Sequence, residues 1–298
     1  MSRSFPPDVL VLDNDSLVHA RFARGKAKNP RLVNAKSYRI AEGTFASAPV
    51  SPLVANEAGL AEALRRMKME TGRWDKVSLL LPDAWFRMNI VELPSLPEKD
   101  SDAMDVVRWS LKRTLPIPPE QLRVTYSVLS RGTEGAKVLV LSAMESTLSA
   151  IERVFAAAGL EVVLIEPVGL NIWNAITVHE NENAGDRIFF YLRDTDFTTA
   201  VFRGPQPLFL RSRNLSAERT LDQEIRLSAT YLRDALNVES YSSCYVAGEH
   251  GADVQSTLAD EFNTQVRSIS LRDYAEDAPA EASGYEAELT ACTGVFTG

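Results

Sequence analysis

Two stretches of this chain open in the same way, and that repetition restricts the fold more than any single motif. Residues 9–13 (VLVLD) are an apolar run ending on Asp13, followed by runs at 17–22 and, past the turn-prone 26–30, at 32–40. Residues 188–193, 198–202 and 208–213 repeat the arrangement. Each set reads as a three-strand meander. After the first, a helix over 59–72 carries Leu60, Leu64 and Met67 on one face, and 77–81 reads as a strand buried on both sides. Strands follow at 88–93, 124–129, 138–141 and 162–165. A helix over 145–158 buries Leu148, Ile151, Val154 and Phe155 and ends at Gly159. A short helix around 170–178 closes this half, and the polar run 179–186 (HENENAGD) is the best boundary. After the second meander come a helix over 217–236, a strand at 243–247, a helix at 254–262, a strand at 266–271, an acidic loop at 274–283 and a final helix from Tyr285. Periodicity alone predicts two α/β halves.

At 298 residues there is chain enough for two such halves, and 45% hydrophobic with 24% charged residues is ordinary for a soluble globular protein. The net charge of −8 argues against nucleic acid as a general partner, because phosphate recognition needs clustered Lys and Arg. No run of about 18 apolar residues is available to span a membrane, and the N-terminus lacks a signal-peptide core, so a cytoplasmic protein is expected. Cys244 and Cys292 are then reduced, buried thiols. His19, His179 and His250 have no metal-ligand spacing, Ser142 and Ser146 have no base nearby, and no Gly-x-Ser-x-Gly elbow occurs. No catalytic residue and no metal site is assigned. Trp85, Phe86 and Trp109 read as core aromatics that could also line a groove.

The most individual run is 101–129. Met104, Val107 and Leu111 form one helical stripe, Ser101 and Asp102 cap its start, and Lys112 and Arg113 suit its C-terminal dipole. Pro116, Pro118 and Pro119 stop the helix, and Val124, Tyr126 and Val128 restart the chain as a strand. Preceded by LPSLPEKD (93–100) and followed by 138–143, 158–162, 165–167, Asn174 and Ala175, this composite resembles the PilM family. Those are actin-like proteins of type IV pilus assembly, with the cytoplasmic part of GspL from type II secretion more distantly similar. The match is good over residues 77–176 and weaker on the flanks.

The resemblance implies an α/β, actin-like (ribonuclease-H-like) fold of two halves. Residues 1–87 and 163–178 would form the first half (subdomain 1A), 88–162 an inserted β/α module like subdomain 1C, and 186–298 the second half (2A). Family members carry a phosphate loop, Asp-x-Gly followed by small hydroxyl residues, in each half. The matching segments are Asp13–Ser16 and Asp194–Thr199, with Asp15 and Asp196 where the family has glycine. A carboxylate there would repel a polyphosphate. His19 and Ala20 stand where the family's lysine would follow, and the chain passes from Arg213 almost directly to the next helix, so subdomain 2B is expected to be reduced or absent. Were a nucleotide site to survive, Asp13, Ser16, Asp194, Thr199 and Gly248 would hold ATP and Mg²⁺; the expectation is that no cofactor binds. Paired Asp residues would form a divalent-cation site only if the two loops faced each other.

The function implied is a non-enzymatic cytoplasmic scaffold of a pilus or secretion machine, peripheral to the inner membrane. Its partner would be a PilN-like membrane protein whose cytoplasmic tail lies between the first half and the insert, with Arg108, Trp109, Lys112, Leu115 and Ile117 around the rim. The alternatives are an ATP-dependent enzyme of the sugar-kinase superfamily and a GspL-type domain continuing into a membrane helix.

Overall fold

The computed structural model describes residues 5–25, 29–48, 51–112, 115, 117–179, 185–204, 206–215, 218–236, 238, 240–278 and 284–297. The first meander forms as expected: β1 (Asp8–Leu12), β2 (Ser16–Ala23) and β3 (Arg31–Arg39). A small hairpin, β4 (Phe45–Ala46) and β5 (Leu53–Val54), leads into α1 (Glu57–Thr71), whose start is capped by the Asn56 side chain accepting from Gly59 N–H. β6 (Lys76–Leu81) joins β1 in parallel. Every residue of β1 is buried, as befits a central strand covered on both faces.

A 3₁₀ turn at Asp83–Trp85 then leads into β7 (Arg87–Leu93), α2 (Asp100–Leu111), β8 (Leu122–Gly132) and β9 (Gly135–Met144). These strands make a separate antiparallel sheet in the order β7-β9-β8. Alternation decides its two faces. Val91, Leu93, Val138 and Val140 meet α2 through Val107 and Leu111, whereas Met88, Ile90, Leu139 and Leu141 join the main core. Pro116 lies outside the described residues, but α2 ends before it.

α3 (Glu145–Ala157), β10 (Glu161–Pro167) and α4 (Val168–His179) complete the first sheet, in the order β10-β6-β1-β2-β3. The apolar face of α3 (Leu148, Ile151, Val154, Phe155) packs into the main core with α1 and β10, not into the insert's own core, and β10 belongs to the first sheet from Glu161 onward. The self-contained part of the insert is therefore the three strands and α2.

The second half repeats the plan: β11 (Asp186–Leu192), β12 (Asp196–Arg203), β13 (Gln206–Asn214), α5 (Leu221–Leu236), β14 (Ser243–Gly248), α6 (Gln255–Phe262), β15 (Val266–Ser268) and α7 (Glu286–Gly294). Its sheet runs β13-β12-β11-β14-β15. Only residues 215–220 link β13 to α5, too few to hold a further subdomain. The strand expected over 266–271 stops at Ser268 and gives way to a 3₁₀ turn at Leu271–Asp273. The acidic loop begins packed rather than solvated: Tyr274 and Ala275 are buried, and Glu276 exchanges backbone hydrogen bonds with Pro30 and Leu32, covering the open edge of β3.

α4 and α7 lie between the two sheets and form the joint of the molecule. α7, reached from the second half, packs on β1 and β2 and places Leu289, Ala291 and Cys292 in the core shared with the first half. The two helices touch at Gly294, where a Cβ would stand 1.9 Å from the Asn171 carbonyl oxygen. Gly294→Ala should therefore force the helices apart and lower stability by about 1–3 kcal/mol, the usual cost of overpacking. A urea-unfolding midpoint unchanged from wild type would contradict this contact.

Candidate functional site

The loops that close the two β-hairpins at the top of the sheets are superimposable in their backbone bonding. Asp13 N–H donates to Ser16 O at 2.8 Å, and Arg193 N–H to Asp196 O at 2.9 Å. Ile40 N–H donates to Asp15 O at 2.7 Å, and Leu215 N–H to Thr195 O at 2.8 Å. Position for position, Arg193 thus corresponds to Asp13, Asp194 to Asn14, Thr195 to Asp15 and Asp196 to Ser16. This corrects the match made on sequence, which paired Asp194 with Asp13 and put Asp196 at the glycine position. Neither loop contains a residue with positive φ, so each closes without the conformation that glycine supplies.

The corrected register has a chemical consequence. Arg193, only 8% exposed, reaches across the cleft and donates to Asp13 Oδ2, and its Nη1 lies 3.2 Å from Asp196 Oδ2. Corresponding positions of the two halves are thus joined by an acid–base pair. Burial opposes charge on Arg193, yet Asp13, Tyr191 and Asp196 more than offset it and hold the guanidinium protonated. Burial raises Asp196 above the ordinary carboxylate range, against the pull of Arg193.

Two further acids face this pair. Asp83 is fully buried; its Oδ1 accepts from Gly169 N–H at 2.7 Å, and burial pushes its pKa up to about 6. Gly169 has to be glycine here, because a Cβ would lie 2.1 Å from Asp83 Oδ2. Glu288 on α7 is also raised by burial and accepts from the Tyr191 hydroxyl at 3.3 Å.

The other expected site residues fall in two places. Ser16 opens β2 beside Asp13, while Thr199 is buried on β12, one residue out of phase with Asp196 and Thr198 and hence on the opposite face of the strand. Asp194 turns outward to the β14–α6 loop: its N–H donates to Glu249 at 3.0 Å and its Oδ1 lies 2.7 Å from His250 Nε2. Asp194 accordingly raises the His250 pKa. Gly248, with φ +100°, lets β14 close on β11, since a Cβ would stand 1.9 Å from Leu192 O. Asp194, Glu249 and His250 have ligand atoms within 4.8 Å of one another, but two of the three are exposed and the imidazole Nε2 already faces Asp194.

A cavity of about 670 Å³ opens beside the loops, between Phe45, Ala48 and Pro52, the start of β7 (Arg87, Met88, Asn89) and β12–β13 (Thr195, Asp196, Arg211, Asn214). Trp85 and Phe86, both buried, form its floor, with Phe45 packed on Trp85 at 5.1 Å. None of the five rim residues expected from sequence lines it. Arg108, Trp109 and Lys112 lie on the outer face of α2, Trp109 61% exposed and Lys112 paired with Glu120 at 3.0 Å. Leu115 and Ile117 pack on the insert's own core. Trp109 is therefore not a core residue.

Sequence reasoning missed Arg193, Asp83, Glu288 and Trp173. Arg193 was findable, since it directly follows the apolar run of β11 just as Asp13 follows that of β1.

No protein-family model and no curated protein matches the chain. Solved structures do. A PilM–PilN type IV pilus biogenesis complex matches with a TM-score of 0.78 at 18% identity, over 96% of each chain. A Bacteroides thetaiotaomicron protein with an actin-like ATPase fold matches at 0.57, with 10% identity over 96% and 94% of the two chains. The cytoplasmic domain of EpsL, an inner-membrane component of the Vibrio cholerae type II secretion system, matches at 0.54, with 14% identity over 97% and 94%. The fold is therefore actin-like. Within that class it is similar to PilM throughout its length. Among the described residues no helix is long and apolar enough to cross a membrane.

Proposed function

We propose that the protein is a cytoplasmic, actin-like scaffold of a type IV pilus or related secretion machine, that it docks on a PilN-like inner-membrane protein through that protein's cytoplasmic tail, and that it neither binds nor turns over ATP. The Asp13–Arg193 pair carries the reading. In an actin-like ATPase the corresponding positions face phosphate and Mg²⁺; here they neutralise each other. The short β13–α5 connection, which leaves no 2B wall for an adenine, supports the same conclusion. Likeness to the PilM–PilN complex supports the docking role.

The cavity beside β7 is the place for an extended tail. β7 runs beside β13, so a tail would lie in the cavity at the start of the two strands, where Trp85, Met88 and Leu210 offer apolar anchors. A synthetic peptide with the sequence of a PilN-like protein's N-terminal cytoplasmic tail should bind in fluorescence anisotropy. Ala48→Trp, which fills the cavity from its rim, should weaken binding at least tenfold. Trp109→Ala on the outer face of α2 should change it less than threefold. Binding that survives Ala48→Trp but fails with Trp109→Ala would move the docking surface to α2; no binding of any such tail by the folded protein would defeat the proposal.

A further inference from the structure

We propose that the outer edge of β3 is a docking site for an acidic, extended segment of a partner protein, which adds to the first sheet as a further strand. β3 ends the sheet order β10-β6-β1-β2-β3, and β2 pairs with it on its inner side. On the outer side the described residues offer one pairing. Glu276 donates its N–H to Pro30 O and accepts from Leu32 N–H, both at 3.0 Å, in an isolated parallel bridge to Arg31. Asp277 then takes a φ of +58° and turns the chain away, so Glu276 covers only the start of this edge. Further along, Arg39 O is taken by the Arg66 side chain. From Val33 to Ser37 the outer edge has no main-chain partner among the described residues. Such an edge is a template for another strand.

Charge says which strand fits. Residues 21–39 hold seven basic residues and no acid, in a chain whose net charge is −8. Neighbouring acids answer some of them: Arg21 is held by Asp8, Lys36 by Glu70 at 2.5 Å, and on the adjoining α1 Glu62 serves Arg65 and Arg66. Arg24, Arg31 and Arg39 are exposed and form no ion pair among the described residues. Opposite charges across a strand pair are favourable and like charges unfavourable. A second copy of the chain is therefore a poor occupant, because it would set arginine against arginine. An anionic bilayer would use the arginines and leave the main-chain edge unpaired. An acidic strand satisfies both, and Val33, 54% exposed, offers it an apolar contact. The molecule already makes one residue of this pairing with its own acidic segment, Asp273–Asp277. The edge is separate from the cavity beside β7, none of whose lining residues lies on β3.

The test titrates the full chain into a fluorescent peptide of four Glu-Val repeats and follows anisotropy. The peptide should bind saturably, slow hydrogen exchange over residues 33–37, and bind more weakly as NaCl is raised. A peptide of four Lys-Val repeats lacks the charge, and the Glu-Val peptide N-methylated at every amide lacks the donors; each should bind at least tenfold more weakly. Arg31→Glu with Arg39→Glu should turn the preference toward the Lys-Val peptide, and Arg24→Glu with Arg39→Glu serves if the first pair does not fold. Ala48→Trp, which fills the cavity beside β7, should leave binding unchanged, so the result is independent of where a membrane protein's tail docks. No saturable binding, equal binding of the N-methylated peptide, or loss of binding with Ala48→Trp would overturn the proposal. Adsorption to phosphatidylglycerol vesicles without peptide binding would also overturn it, and assign this face to a membrane.

Discussion

Replacing Arg193 by alanine should destabilise the protein by about 3–5 kcal/mol, the range found when one partner of a buried charge cluster is removed. The cause is not a lost attraction alone. Arg193 is the cation set among Asp13, Asp196 and Asp83, and without it these acids face one another in a buried cleft. The loss should also acquire a pH dependence of definite sign. Burial already raises Asp196 and brings Asp83 to about 6; removing the guanidinium raises the acids further above their unfolded values. A folded state with raised carboxyl pKa values binds more protons than the unfolded chain, so the variant should be least stable at pH 8 and recover as pH falls through 6. Arg193→Lys, which keeps the charge and loses the fork, should fall in between. Chemical denaturation at pH 5.5 and pH 8 measures both effects. A deficit below about 1 kcal/mol, or one that deepens on acidification, would mean that the acids are satisfied in some other way.

Trp173→Ala should cost about 3–5 kcal/mol, as large aromatic truncations in cores do. Trp173 projects from α4 and stacks on Phe202 of β12 at 3.7 Å and 9°, with Phe189 and Tyr245 at 6.1 and 6.0 Å and Arg187 over the ring at 5.0 Å. It is 2% exposed and joins a helix of the first half to three strands of the second. The variant should lose coupling between halves as well as stability, so its urea transition should broaden or divide. Trp173→Phe, which keeps a stacking ring, should lose less. A single sharp transition at the wild-type midpoint would show that the halves are held together elsewhere.

What could be read in the sequence follows from where the signal was strong. The meanders were legible because β1 and β11 are continuous apolar runs and because both are followed by hairpin loops rich in Asp. The stripe on α2 was legible for the same reason, and Val107 and Leu111 are buried as it required. Arg193 was masked by Asp194 one residue away, which draws any match based on acidic residues; counting from the end of each apolar run finds it, and the backbone hydrogen bonds confirm that register. Asp83 and Glu288 carried no local signal, since their role arises from distant segments closing over them. The Trp109 side chain illustrates a different limit: an aromatic on an amphipathic helix has two faces to choose from, and here it lies on the outer one. Leu115 and Ile117, expected at a partner's groove, instead complete the insert's core.

In the proposed function the Asp13–Arg193 pair takes the place of bound phosphate, and the actin-like fold serves as a scaffold rather than a nucleotide site. Titration calorimetry of the purified protein with ATP in the presence of Mg²⁺ addresses it directly. No heat of binding is expected up to millimolar ATP, and still none for Arg193→Asp, because the β13–α5 connection leaves no wall for the adenine. Saturable binding of ATP by the wild-type protein with a dissociation constant in the micromolar range would contradict it.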